Sequence, residues 1–207
     1  MLIKMLLIFD YDGVIADSFC EAQKAFNNVA DEFGLPHLNS KEEFKKLYND
    51  NFYASVRKLG FDGKHMKELV KRTKEELDYD GVPVFTGMRE VIKALSKDHD
   101  VAIVTSNGTP LVRRHMESNG LHVDMVLGAD VDPDKTRKIT SLRDRYPGET
   151  TYYIGDTAGD MKEGREAGTV TVGVTWGFHE KEDLDEEEPD HIVDSPEELL
   201  ALFLNSQ

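Results

Sequence analysis

The sequence predicts an α/β protein: a parallel sheet with helices on both faces, carrying a small all-helical insert after its first strand. Short continuous apolar runs recur at Leu6–Phe9, Val101–Val104, Met125–Leu127, Tyr152–Ile154 and Val170–Val174. Each has the length and hydrophobicity of a strand buried on both faces. Helical patterns separate the later runs, over Met88–Ser96, Pro110–Asn119, Thr136–Tyr146 and Met161–Ala167. Alternation of this kind implies parallel strands sandwiched by helices. Between residues 17 and 85 no strand run occurs, and only helical periodicity is seen.

Taken in order, the opening "LLIFDYDGVIADS" is a buried strand that stops at Asp10, followed by Asp12 and a turn through Gly13. In the insert, Ser18 with Glu21 and Ser40 with Glu43 have capping-box spacing. Ala22, Phe26, Val29, Ala30 and Phe33 lie on one helical stripe, and Met66, Leu69, Val70, Thr73 and Leu77 on another. "YDGVPVF" at 79–85 punctuates the return to the α/β pattern. Residues 1–16 and 86–207 are therefore expected to form the core domain, and 17–85 the insert. The acidic stretch "EKEDLDEEEPD" reads as a solvated loop. "SPEELLALF" reads as a closing helix capped by Ser195, with Pro196 in its first turn and Glu198 three residues past the cap.

Composition narrows the function classes. The 207 residues are 39% hydrophobic and carry a formal net charge of −15. That balance argues against nucleic acid or an anionic membrane as partner, since both reward Lys/Arg surfaces. A cytoplasmic location is expected. Cys20 is the sole cysteine, which excludes an intrachain disulfide and argues against a zinc–thiolate site. The apolar start is too short for a membrane span and lacks a cleavage-site pattern, so a first strand is the better reading.

Four predicted strand ends carry polar groups: Asp10 and Asp12; "TSNG" at Thr105–Gly108; Lys135 after a short loop; and Asp156 with Asp160 in "GDTAGD". Parallel strands bring such ends to one edge of the sheet, where ligands of open α/β sheets bind. Clustered carboxylates repel, and a hard divalent cation removes that cost. Mg²⁺ favours one or two carboxylates, waters and a phosphate oxygen. Lys135 and the donors of "TSNG" would hold the other phosphate oxygens. Such a site suits phosphoryl transfer, with one aspartate as nucleophile and a second moving the leaving-group proton.

These four segments, in this order, resemble the motifs of the haloacid dehalogenase superfamily, and the helical insert sits where that family's C1-type cap sits. The resemblance covers nearly the whole chain and points to the phosphoglycolate phosphatase-like subgroup, with a Rossmann-like core. It implies Asp10 as the nucleophile, forming an aspartyl-phosphate, and Asp12 as general acid and base. Mg²⁺ would be held by Asp10, Asp156 and the backbone carbonyl of Asp12, with Asp160 behind the metal or the lysine. Thr105, Ser106, Asn107 and Lys135 would bind phosphate. Thr105 is preferred over Ser106, and Lys135 over Lys138. Asp12 favours a phosphatase over a true dehalogenase, whose reaction needs no acid to protonate an alkoxide.

The substrate implied is a small phosphorylated metabolite, phosphoglycolate first. Asn49, Asn51, Arg57 and Lys58 of the insert are candidates for its non-phosphate end. The alternatives are a phosphomutase of the same fold, which returns the phosphoryl group to a sugar, and a non-enzymatic phosphate-binding or signalling module. Simpler roles compete throughout: Asp10 and Asp12 as turn residues, Asp160 as a helix cap. The seven histidines read as surface or loop residues, Cys20 as a packed small side chain, and Trp176 and Phe178 as packing or rim residues near the site.

Overall fold

The computed structural model describes residues 4–49, 52–60 and 65–204. Its strands are β1 (Met5–Phe9), β2 (Asp100–Val104), β3 (Met125–Leu127), β4 (Thr150–Gly155), β5 (Val170–Val174) and β6 (His191–Val193). All pair in parallel, in the order β3-β2-β1-β4-β5-β6. The helices are α1 (Phe19–Ala30), α2 (Lys41–Lys45), α3 (Phe52–Lys58), α4 (Met66–Glu76), α5 (Met88–Leu95), α6 (Thr109–Ser118), α7 (Lys135–Arg143), α8 (Ala158–Glu166), α9 (Lys181–Asp185) and α10 (Pro196–Leu204). The expected Rossmann-like α/β class is the one observed.

The chain resolves into two compact units, Met1–Asp17 with Pro83–Gln207, and Ser18–Val82. In the first, β1 is central and fully buried, which explains a five-residue strand with no polar position. Leu6 and Ile8 face Ile139 and Leu142 of α7, together with Tyr153 of β4. The preceding residue of β4, Tyr152, points to the opposite face and meets Phe203 of α10 edge-on, centroids 5.0 Å apart. Helices thus cover both faces, as a parallel sheet requires.

The second unit is helical. Phe26, Val29, Phe44, Leu47, Val56 and Leu69 form its core, with α1 packed on α4. Ser40 and Glu43 form the expected capping box on α2. Ser18 does not cap α1 with its side chain, because its backbone lies outside the extended conformation that aims a cap side chain at the helix.

The unit ends at Val82 rather than at 85. Asp17 N–H donates to the Pro83 carbonyl and Phe85 N–H to that of Ile15, both at 2.9 Å, while Ala16 bridges Val84. Residues 83–85 are thereby tied to the loop after β1. Two other expectations change. The acidic stretch contains α9, whose Leu184 is fully buried, and it is followed by the three-residue strand β6. Cys20 is exposed rather than packed.

Candidate active site

The site grows from the carboxyl ends of β1, β2 and β4. Asp10 continues the β1 pairing, its N–H donating to the Ile154 carbonyl at 2.8 Å, so the aspartate that ends the strand is placed by the sheet itself. The chain then turns through Gly13, at φ 79°. A Cβ there would collide with the Asp156 carboxylate, and one at Gly177 would collide with it from the other side. The glycines admit the close approach that seats Asp156.

Lys135, the first residue of α7, reaches two carboxylates. Its Nζ lies 2.8 Å from Asp10 Oδ2 and 2.7 Å from Asp160 Oδ1. Asp160 Oδ1 also accepts from Tyr153 Oη at 3.0 Å, and Asp160 Oδ2 accepts from the Thr157 hydroxyl at 2.6 Å and the Thr157 N–H at 3.1 Å. Asp160 therefore caps α8, as its competing reading held, and fastens Lys135 as well. One carboxylate does both because each oxygen accepts two bonds.

Lys138, one turn further on, donates instead to the Thr105 carbonyl at 2.7 Å and is buried. Thr105 is fully buried and accepts the Asn107 N–H at 3.0 Å, whereas Ser106 is exposed. Asn107 Nδ2 donates to Asp12 Oδ2 at 2.8 Å. The structure thus draws Asp10, Asp160 and Lys135 into one bonded cluster and joins Asp12 to Asn107. In the helical unit Asn49, Arg57 and Lys58 are exposed, and Asn51 lies outside the described residues.

Trp176 and Phe178, read as packing or rim residues near the site, make specific bonds there, and two further contributors, His179 and Tyr153, were not foreseen. Phe178 N–H donates to Asp156 Oδ2 at 2.8 Å, and the Trp176 indole to the Val14 carbonyl at 3.1 Å. His179, fully buried, accepts the Ala158 N–H at the start of α8 at 3.0 Å. His115 and His99 are also buried; His99 and His179 lie in loops, whereas His115, on α6, departs from the surface-or-loop reading. The signal for Tyr153 was a polar tip inside an otherwise apolar strand run, a group that burial obliges to find a partner.

Electrostatics makes the cluster unusual. Burial raises Asp10 to about 8; Lys135 opposes this, while Asp160 and Asp12 add to it. Burial, then Asp160 and Asp10, hold Asp156 well above the usual carboxylate range. Asp160 is lowered: burial resists its ionisation, but Lys135, Thr157 and Tyr153 together prevail. Lys135 is held well above its ordinary value by Asp10 and Asp160 in spite of burial.

Asp156 Oδ1 is buried without a hydrogen-bond partner, a state that costs about 1–3 kcal/mol for a polar group. Among the described residues, Asp10, Asp156 and Asp160 each offer an oxygen, all within 4.8 Å of one another. An orphaned acceptor beside other carboxylates fits a hard divalent cation. Asp10 and Asp156 are the better ligands, because Asp160 already has its acceptor sites filled.

A pH dependence follows. Without a cation, Asp10 and Asp156 have folded pKa values above their unfolded ones, so their contribution to stability is complete below about pH 4 and is lost as pH rises through the folded values, that of Asp10 being about 8. Cation binding requires the ionised forms. Mg²⁺ is therefore expected to raise the melting temperature more at pH 8 than at pH 5.5, as differential scanning fluorimetry at fixed Mg²⁺ would read.

Residues 7–174 match the haloacid dehalogenase-like hydrolases. The chain belongs to that family and is a hydrolase. Among curated relatives, the phosphoglycolate phosphatase of Synechococcus elongatus is 26% identical, over 94% of this chain and 94% of its own. The pyrophosphatase PpaX of Listeria innocua is 25% identical, over 97% of each. A haloacid dehalogenase-like family hydrolase from Streptococcus pneumoniae is 25% identical, with a TM-score of 0.79 over 97% of this chain and 98% of that one. No helix among the described residues is long and apolar enough to cross a membrane.

Proposed function

We propose that this protein is a Mg²⁺-dependent phosphatase that hydrolyses a small phosphorylated metabolite, phosphoglycolate first, through an aspartyl-phosphate on Asp10. The coarser class, a hydrolase of phosphoric esters, follows from the family and its phosphatase relatives. The observation that carries the finer reading is Lys135 bridging Asp10 and Asp160 beside the orphaned oxygen of Asp156. That arrangement combines a nucleophile, a cation and a vacant acceptor in one buried place.

The chemistry divides between two aspartates. Asp10 attacks phosphorus as the ester P–O bond breaks, and Asp12 gives its proton to the departing oxygen. Asp12 then takes a proton from water as that water attacks phosphorus, releasing inorganic phosphate and restoring Asp10. Asn107, on Asp12 Oδ2, aims the acid at the leaving group. Lys135 neutralises charge on the phosphoryl oxygens, with donors from Thr105 to Asn107 beside them. Asp10 and Asp156, with the Asp12 carbonyl, would hold Mg²⁺, which when bound neutralises the carboxylates and polarises a phosphate oxygen. Asp160 would act through Lys135. By the family resemblance the helical unit would select the substrate, with Asn49, Arg57 and Lys58 as its candidate residues.

The test is a phosphate-release screen over metabolite phosphates and pyrophosphate, with and without Mg²⁺. Metal-dependent release, strongest from phosphoglycolate, is expected. Asp12→Asn should lower turnover by roughly 10²- to 10⁴-fold on an alkyl phosphate, and by much less on an ester whose leaving group needs no proton. Isomerised sugar phosphate without free phosphate would indicate a mutase instead. A long-lived aspartyl-phosphate without turnover would indicate a signalling module.

A further inference from the structure

Tyr11 lies between the nucleophile and the acid, and its two backbone groups fasten both sides. Its N–H donates to Asp10 Oδ1 at 2.7 Å, and its carbonyl accepts from Ile15 and Ala16 N–H at 2.9 Å, closing the turn that carries Asp12. The side chain runs the other way, fully buried, to α6. There the Tyr11 hydroxyl and His115 Nδ1 share a hydrogen bond of 2.5 Å, the rings edge-on with centroids 5.8 Å apart. His115 is itself buried.

We propose that the Tyr11–His115 hydrogen bond is a positioning device, fixing the Asp10–Asp12 segment against α6 so that nucleophile and acid keep one geometry. The inference rests on the phosphatase reading and names residues that act through the two aspartates rather than on substrate. The helix supplies a second attachment beside its own start. Asn107, two residues before α6, holds Asp12, and His115, in the last turn of α6, holds Tyr11. A segment tied at both points cannot rotate about Tyr11 without breaking one of them.

Packing alone does not call for this pair. Phenylalanine at 11 and leucine at 115 would fill comparable space and leave no polar group to satisfy. A buried phenol and a buried imidazole cost free energy unless paired, and their pairing fixes direction as well as distance. Reacting groups displaced by about 1 Å lose on the order of 10² in rate. A hydrogen bond that holds them is therefore expected to act on kcat.

The test uses the full chain with its best substrate and saturating Mg²⁺, melting temperatures being measured alongside. Tyr11→Phe should lower kcat roughly 10- to 100-fold with KM within about twofold. His115→Leu should match it, and adding it to Tyr11→Phe should cost little more, because both remove one bond. His115→Asn, which keeps a hydrogen-bonding atom near the Nδ1 position, should recover much of the loss. A Tyr11→Phe enzyme with wild-type kcat, or equal losses in His115→Leu and His115→Asn, would overturn the proposal. A wild-type protein that hydrolyses no phosphoric ester would instead defeat the phosphatase reading, and this inference with it.

Discussion

Asp10→Asn is expected to abolish phosphate release, by more than about 10⁴-fold for loss of a covalent nucleophile, while leaving the fold intact. The two halves of that result have one cause. Burial and neighbouring acids disfavour the ionised Asp10, so the charge that would perform the chemistry strains the folded protein. Asparagine is nearly the same size and carries no charge, though its single carbonyl oxygen can accept from only one of Lys135 and the Tyr11 N–H, which bond different oxygens of Asp10. Any stability deficit of metal-free Asp10→Asn against the wild type should therefore be smaller at pH 8 than at pH 5.5, because ionising Asp10 costs only the wild type. A variant that is dead because it is unfolded would not bear on the nucleophile, and melting with circular dichroism separates the two cases.

Lys135→Ala is the variant in which activity and stability fall together. Its ammonium meets Asp10 and Asp160 within 2.8 Å, and all three groups are buried. Removing one partner of a buried ion pair leaves uncompensated charge and costs about 3–5 kcal/mol. The pH dependence has a definite sign. Without the ammonium, the carboxylates have folded pKa values raised above their unfolded ones. Such groups contribute fully below about pH 4 and progressively less as pH rises through the folded value. The stability defect should be small in acid and largest near pH 8. Activity should fall as well, since no cation would remain on the phosphoryl oxygens. Lys138→Ala should differ in kind: Lys138 donates to the Thr105 carbonyl, so its loss disturbs the β2 exit and leaves the Asp10 charge balance nearly as it was. Urea titrations across pH compare the two.

The residues that announced themselves in the sequence did so because their chemistry is costly where they sit. An aspartate ending an apolar strand needs a reason, and four polar strand ends in a parallel sheet can meet at only one edge. The choice between Lys135 and Lys138 was open, because helix spacing says little about which of two lysines a turn apart points to the sheet edge. The preference for Lys135 rests on its nearness to the loop; in the structure Lys135 bonds Asp10 and Asp160, and Lys138 the Thr105 carbonyl. Tyr11 and His115 were hidden for a different reason. They are 104 positions apart, and each suits its local element as an ordinary apolar-stripe or strand-end residue. His179 and Phe178 act through contacts on Ala158 and Asp156 that no local pattern encodes. β6 was missed because three residues carry too little periodicity, and α9 because one buried Leu184 sits among acids.

The most direct measurement is chemical. Enzyme quenched during turnover, reduced with labelled borohydride and mapped by peptide mass spectrometry, should carry its label at residue 10, as the alcohol left by reduction of an acyl phosphate. The label should be absent from Asp10→Asn and should build up in Asp12→Asn on an ester whose leaving group needs no proton, where hydrolysis alone is slowed. Rapid Mg²⁺-dependent turnover with no label at residue 10, or with label on another carboxylate, would contradict Asp10 as the atom that bonds to phosphorus.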